Sequence, residues 1–354
     1  MPKATPQTTQ STLFDKLPNE LLDLIWSVAY EDKMLSARPI CRSLYPFQQT
    51  ILFKSISLSS LKSLSSLQNV LLDMNPSLST LVKSLKIKIQ NTLPRFDFPL
   101  LNELLSSLVN LESLELIEPD KPQHNLVEAL SIGSVALPFL KTLNIQTHST
   151  WTHPFEPTHY RFLLSFPSLE SFTIRCDHGQ NTAVRSTRSL RNGNGNELSN
   201  SVRTLAIIGS SADHIQISRL CDRLSGLQHL HLALDSSSAP QYSSLLPSLT
   251  PDLLSLSLIS HPKSSSVRGS CNELLPRFNK LRAVHLGRGT VDKHGLKNVL
   301  RQLPHLKIVI FGEGFSISQD RGRKFVEGTR RVQGLETVKF LGNEGVGGWE
   351  FTAN

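Results

Sequence analysis

The sequence predicts an α/β fold made of repeated units, each with one short strand, and three observations carry that reading. The first is a phrase of apolar residues from Leu108 to Leu116, LVNLESLEL, which steps by three through Leu108, Leu111 and Leu114 and then by two to Leu116. A helix puts Leu111 and Leu116 on different sides, whereas a short strand gives Leu114 and Leu116 one common face. The second is that the phrase returns. Aligned on its third apolar position, copies stand at Leu85, Leu114, Leu143, Phe172, Leu205, Leu230, Leu256, Val284, Val309 and Val338, with steps of 29, 29, 29, 33, 25, 26, 28, 25 and 29 residues. The slots two residues later and three residues earlier are apolar in every copy. One such match means little in a chain rich in leucine, but ten within a narrow band of spacings mark a structural repeat. The third is the length of the period, which leaves room for a helix rather than an extended segment between successive strands.

In chain order, residues 1–11 are polar, carry Pro2 and Pro6, and are expected to be disordered. The stretch LFDKLPNELLDLIWSVAY then predicts a helix. Asp15 can cap it, Pro18 suits its first turn, and Leu21, Leu22, Ile25 and Val28 form an apolar stripe. A second helix, interrupted or started by Pro39, is expected to lead into a strand carrying Ile56 and Leu58. Ile56 stands 29 residues before Leu85, which puts this strand in phase with the repeats. Residues 59–81 read as a helix ending near Asn75-Pro76, and similar helices are expected before the other strands, as at 98–108, 126–132, 214–224 and 295–303. Two insertions stand out: Thr147 to Tyr160, and Asp177 to Asn200, which is low in apolar residues, rich in Gly and Asn and expected to be a flexible surface loop. The end, residues 342–354, is a glycine-rich tail expected to be loose. Its Trp349 and Phe351 are candidates to fold back over the apolar end of the last repeat.

Composition limits the function classes. The chain has 354 residues, of which 39% are hydrophobic, enough for a long continuous core. It contains no run of eighteen apolar residues, and its N-terminus lacks the apolar stretch of a signal peptide. Cys41, Cys176, Cys221 and Cys271 are scattered, which fits reduced thiols in cytosol or nucleus. A net charge of +8 permits an acidic partner without indicating nucleic acid.

No enzyme motif is present: the chain has no GxSxG, no phosphate-binding glycine loop and no HExxH. Neither catalysis, a cofactor nor a metal is expected. His229 and His231 project to one face of a strand, and His285 holds the same place two repeats later. Two strand spacings are roughly 10 Å, too far for a shared ion, so these histidines read as exposed residues of the sheet surface. The basic run at Arg321, Arg323, Lys324, Arg330 and Arg331 and the loop arginines Arg185, Arg188 and Arg191 read as solvated charge, without the aromatic platform of a nucleic-acid binder.

The repeat resembles the leucine-rich repeat over residues 59–341, about ten units. That resemblance implies a curved parallel sheet inside and helices outside. The turns after the strands depart from the family pattern, because only Asn343 supplies the usual Asn or Cys. The order LPNELL, then Ile25, then Ile40-Cys41-Arg42, then LFKSI resembles an F-box over residues 12–58. This is the small helical domain that docks the Skp-type adaptor of SCF-type cullin–RING ubiquitin ligases. Carried over residue by residue, the resemblance implies adaptor contacts at Leu17, Pro18, Leu21, Leu22, Ile25, Ile40 and Cys41. It implies a substrate receptor whose repeats hold a protein to be ubiquitinated, joined through the adaptor to a cullin. A repeat scaffold without ligase role and a basic nucleic-acid binder are the alternatives. Residues flanking the buried pair of each strand face outward on the concave side. Most are small or polar, but Ile308 and Ile310 are not, and with His285 and Lys339 on the strands to either side they form the candidate contact patch for the substrate.

Overall fold

In a computed structural model of the chain, the described residues are 45–88, 98–117, 130, 135–147, 162–176, 201–209, 214–234, 245–260, 274–287, 300–312, 334–341 and 349–352. The expectations for residues 1–11 and for Leu17, Pro18, Leu21, Leu22, Ile25, Ile40 and Cys41 fall outside them. So do most of both insertions, most of helices 126–132 and 295–303, the turn positions that follow the strands, and the basic run from Arg321 to Arg331.

Among the described residues, twelve strands form one sheet whose spatial order is the chain order. They are β1 (Ser55–Leu58), β2 (Ser84–Lys88), β3 (Ser113–Ile117), β4 (Thr142–Thr147), β5 (Ser171–Cys176), β6 (Thr204–Gly209), β7 (His229–Leu234), β8 (Ser255–Ser260), β9 (Ala283–Leu286), β10 (Ile308–Phe311), β11 (Thr337–Phe340) and β12 (Trp349–Thr352). From β1 to β11 every pairing is parallel, and the register is the one read from the repeats. Ile56 lies opposite Leu85, Leu85 opposite Leu114, Phe172 opposite Leu205, and Val309 opposite Val338. A slip of one residue would turn each buried pair outward, so the two apolar slots per strand fix the pairing.

The slots are the core. Every residue at the three apolar positions of the ten copies is buried, except Leu335 of the last copy, which is partly buried against the cluster. Phe172 takes the place that leucine holds in most strands, and its ring meets Phe162 edge-on at 6.1 Å, with Phe166 a further 5.8 Å from Phe162. The entry to each strand from β3 to β11 is fixed by a shared acceptor. The carbonyl of Lys83 accepts from the backbone N–H of both Glu112 and Ser113, that of Glu112 from Lys141 and Thr142, and the pattern continues to Lys307, which accepts from Glu336 and Thr337. The side chains at these entry positions stack as well: Glu112 lies 3.0 Å from both Lys83 and Lys141.

Helices lie between the strands. α1 (Tyr45–Lys54) runs directly into β1. α2 (Leu61–Gln68) begins where Ser60 Oγ accepts from the Ser63 N–H at 3.1 Å, and continues as a π turn, Asn69–Met74, and a 3-10 turn, Pro76–Leu81. The expected break at Asn75-Pro76 falls between those two turns. α3 (Phe98–Ser107) and α4 (His214–Asp222) match the apolar stripes that predict them. Before β8 and β9, however, the described residues form only the three-residue 3-10 turns Leu246–Ser248 and Leu275–Arg277, each with a proline early in the turn. Proline suits a helix start and opposes its interior, which keeps these turns short.

At the C-terminus, Trp349 and Phe351 do fold back onto the last repeat. β12 returns antiparallel along β11, with Phe351 opposite Val338 and Trp349 opposite Phe340. The fold-back extends the sheet by one strand past β11 and leaves Ile308 on β10 exposed.

Candidate functional site

Because strand residues alternate between faces, the buried pair of each strand fixes what its neighbours present on the opposite, open face. Two rows of side chains cross the sheet there, and a shorter third row, from Lys88 through Arg175 to Ile259, spans β2 to β8. One row runs Ser55, Ser84, Ser113, Thr142, Ser171, Thr204, His229, Ser255, Ala283, Ile308 and Thr337. The other runs Ser57, Lys86, Glu115, Asn144, Thr173, Ala206, His231, Ser257, His285, Ile310 and Lys339. In the N-terminal half the charges compensate one another across the strands, since Lys86 Nζ donates to Glu115 at 2.8 Å.

The C-terminal half differs. His285, Ile310 and Lys339 stand side by side on β9, β10 and β11, as the repeat alignment predicts. Ile308 lies in the adjoining row between the smaller Ala283 and Thr337, and 37% of it is exposed. Ile310 is half-buried and lies in register between His285 and Lys339. Lys339 is not a free rim charge, because its ammonium lies 3.2 Å from the Glu350 carboxylate on β12.

The histidines also depart from the sequence reading. His229 is exposed as expected, but His231 and His285 are half-buried and joined through Ser257. Ser257 sits on β8 between them and is only 8% exposed. Its Oγ is 2.7 Å from His231 Nδ1 and 3.3 Å from His285 Nδ1. A hydroxyl has one proton to give, so it donates to one ring while the other ring donates its own Nδ1–H back to the hydroxyl. The chain of three groups therefore has a direction. His285 Nε2, at its end, is buried without a hydrogen-bond partner. Gly312 is what leaves it room, because a Cβ there would come within 3.1 Å of that nitrogen. Burial pushes the His231 imidazole below its ordinary pKa, and burial together with the neighbouring His231 does the same to His285. Both rings are accordingly neutral near pH 7. Repeat spacing already places His231, Ser257 and His285 in one slot on successive strands; the small size of Ser257, which lets the rings on either side close over it, is the signal that links them.

Among the described residues no group of three or more His, Cys, Asp or Glu could hold a metal ion. No helix among them is long and apolar enough to cross a membrane. Chemically, the arrangement offers neutral hydrogen-bonding rings, two aliphatic side chains and a neutralised ion pair, which suits contact with another molecule.

No protein-family model and no curated protein matches the chain. Among solved structures, the leucine-rich-repeat-containing protein LegL7 from Legionella pneumophila is similar over 85% of this chain and 89% of its own, at 14% identity and a TM-score of 0.46. TLR13, solved as its complex with ssRNA13, is similar over 73% of this chain and 35% of its own, at 14% identity and a TM-score of 0.37. Overlap this loose adds nothing to what the strand ladder shows by itself: among the described residues, eleven parallel strands in chain order, ten of which carry the same buried leucine-type phrase. The fold is a leucine-rich-repeat solenoid. The open face of that solenoid, from β7 to β11, is its candidate functional surface.

Proposed function

We propose that this chain is the substrate receptor of an SCF-type cullin–RING ubiquitin ligase. In this reading residues 12–58 are an F-box that docks a Skp-type adaptor through Leu17, Pro18, Leu21, Leu22, Ile25, Ile40 and Cys41, and the adaptor joins the chain to a cullin. The solenoid holds the protein to be modified on its open face, at His285, Ile308, Ile310 and Lys339. The receptor performs no covalent chemistry and works in the cytosol or nucleus. Its contribution is proximity, since tethering raises the effective concentration of target lysines near the ubiquitin-carrying enzyme.

The observation that carries this reading is in the sequence. LPNELL, the Ile25 stripe, Ile40-Cys41-Arg42 and LFKSI follow in F-box order and run without a linker into the first repeat strand. The sheet adds support of a general kind, a long face of outward side chains with an apolar centre, which is the make-up of a contact surface. The test is co-purification of the full chain with a Skp-type adaptor. Changing Leu21→Asp together with Leu22→Asp should abolish adaptor recovery while the solenoid keeps its circular dichroism. Undiminished recovery from the folded double variant refutes the F-box reading. An intact chain that captures no adaptor leaves an interaction scaffold without ligase role.

A further inference from the structure

We infer that the strip of open face from β7 to β10 binds a short extended segment of a protein partner in which carboxylates flank aliphatic side chains. This rests on the reading that the solenoid holds a protein, and it names the chemistry of the segment held.

The strip is bounded by geometry. His231, Ser257, His285 and Ile310 occupy one slot on four successive strands. Three strand spacings of about 4.8 Å make it roughly 14 Å long, the reach of about four extended residues. Its floor is buried at Ser257, and its apolar end is Ile310 with the exposed Ile308 beside it. An aliphatic anchor fits that end.

Charge decides the rest. Thr204 and Ala206 of β6, Ser255 and Ser257 of β8, and Ile308 and Ile310 of β10 bring no ionisable group to this face. β7 brings His229 and His231, and β9 brings His285. Arg175 on β5 is exposed two strands before β7. At the entry edge stand Arg203, Arg282 and Lys307, the last paired with Glu336. From β4 to β10 the described residues put no carboxylate on the open face. The next ones, Glu115 on β3 and Glu350 on β12, are each held by a lysine. Among the described residues the ionisable groups of the strip are thus all bases, with no anion among them. An acidic segment meets complementary potential there, whereas a basic one meets only like charge or neutral rings.

This composition makes binding depend on pH. Without a partner, burial keeps His231 and His285 below the ordinary imidazole range. A partner carboxylate beside either ring raises its pKa towards or above that range. Binding then takes up protons, so it strengthens as the pH falls through the imidazole pKa of the complex. It weakens again once the partner's own carboxylates are protonated. One coupled proton gives at most about tenfold per pH unit.

The experiment uses the purified full chain and a phage-displayed library of random twelve-residue peptides, selected at pH 6.0. The selected peptides should be net acidic, with Leu, Ile, Val or Phe next to Asp or Glu. As fluorescein-labelled synthetic peptides they should bind about three- to tenfold more tightly at pH 6.0 than at pH 7.5, and less tightly in high salt. His231→Gln with His285→Gln should remove the pH dependence. Ile308→Asp should weaken binding at least about tenfold, and Ile308→Ala, on a partly exposed strand position, serves if the aspartate variant does not fold. Selection of neutral or basic peptides, failure to enrich any sequence, a pH-independent affinity, or displacement of the peptide by a single-stranded RNA oligonucleotide each overturns the inference. Adaptor co-purification with the same proteins separates the two readings. Loss of adaptor with retained acidic-peptide binding removes the ligase role alone, and the converse removes the strip alone.

Discussion

Truncating Phe172 to alanine tests the physical account of the solenoid at its centre. The ring is fully buried on β5, between Leu143 on β4 and Leu205 on β6, and rests edge-on against Phe162. Its removal leaves a cavity between two rigid strands that cannot collapse far, because each is held by its own parallel ladder. Phenylalanine-to-alanine changes in such sites cost about 3–5 kcal/mol. Phe172→Leu is the informative control. Leucine is what the neighbouring strands carry in this slot, so most of the volume is restored and the loss should be about 1 kcal/mol, near the worth of the aromatic contact. Urea titration followed by circular dichroism measures both. Hydrogen exchange should show the alanine variant losing protection chiefly in β4 to β6, since each repeat contacts mainly its neighbours. If Phe172→Ala costs less than about 1 kcal/mol, or if leucine costs as much as alanine, the slot is not the close-packed, leucine-sized site that the register implies.

Two further outcomes are expected. His231 and His285 have folded-state pKa values below the ordinary 6.5, so the unfolded chain takes up their protons first. The stability they contribute is complete above about pH 6.5 and is lost as the pH falls through the folded values. Thermal unfolding from pH 7.5 to 5 should therefore show a steeper loss for the native sequence than for His231→Gln with His285→Gln; parallel curves contradict this. Cys221 is buried, and its thiol pKa is pushed well above the ordinary range by burial first and by Asp222 second. Iodoacetamide at pH 8 should leave the peptide containing Cys221 unmodified in the folded chain and label it in urea, as read by mass spectrometry, whereas rapid native labelling would mean that α4 opens readily.

The sheet was legible in the sequence almost to the residue because two independent periods agree. Alternation within a strand names the face, and the repeat step names the neighbour, so Leu85 could be set opposite Leu114 without any contact in view. The open-face patch was legible in its membership for the same reason: Ile310 does fall between His285 and Lys339. What those residues do to one another was not. Whether two rings close over Ser257, or whether Lys339 is free, depends on the sizes of neighbours and on a strand outside the repeat. β12 carries no leucine phrase, and its glycine-rich approach reads as a tail. Its glutamate therefore gave no sign that it would neutralise Lys339. The 3-10 turns before β8 and β9 were likewise hidden, since apolar spacing suggests a helix while Pro247 and Pro276 limit it.

The reversed direction of β12 has a consequence for how copies of this molecule meet. A ladder of parallel strands is a template that continues: the last strand of one copy offers the first strand of another the same hydrogen-bond spacing that every internal strand enjoys. Head-to-tail stacking of that kind does not close on itself and leads to fibres. A terminal strand of opposite polarity changes the spacing of donors and acceptors at that end. β1 of a second copy then finds no continuation of the pattern on which the array was built. The hairpin end thus breaks, in backbone direction, the parallel pattern that the other strands share.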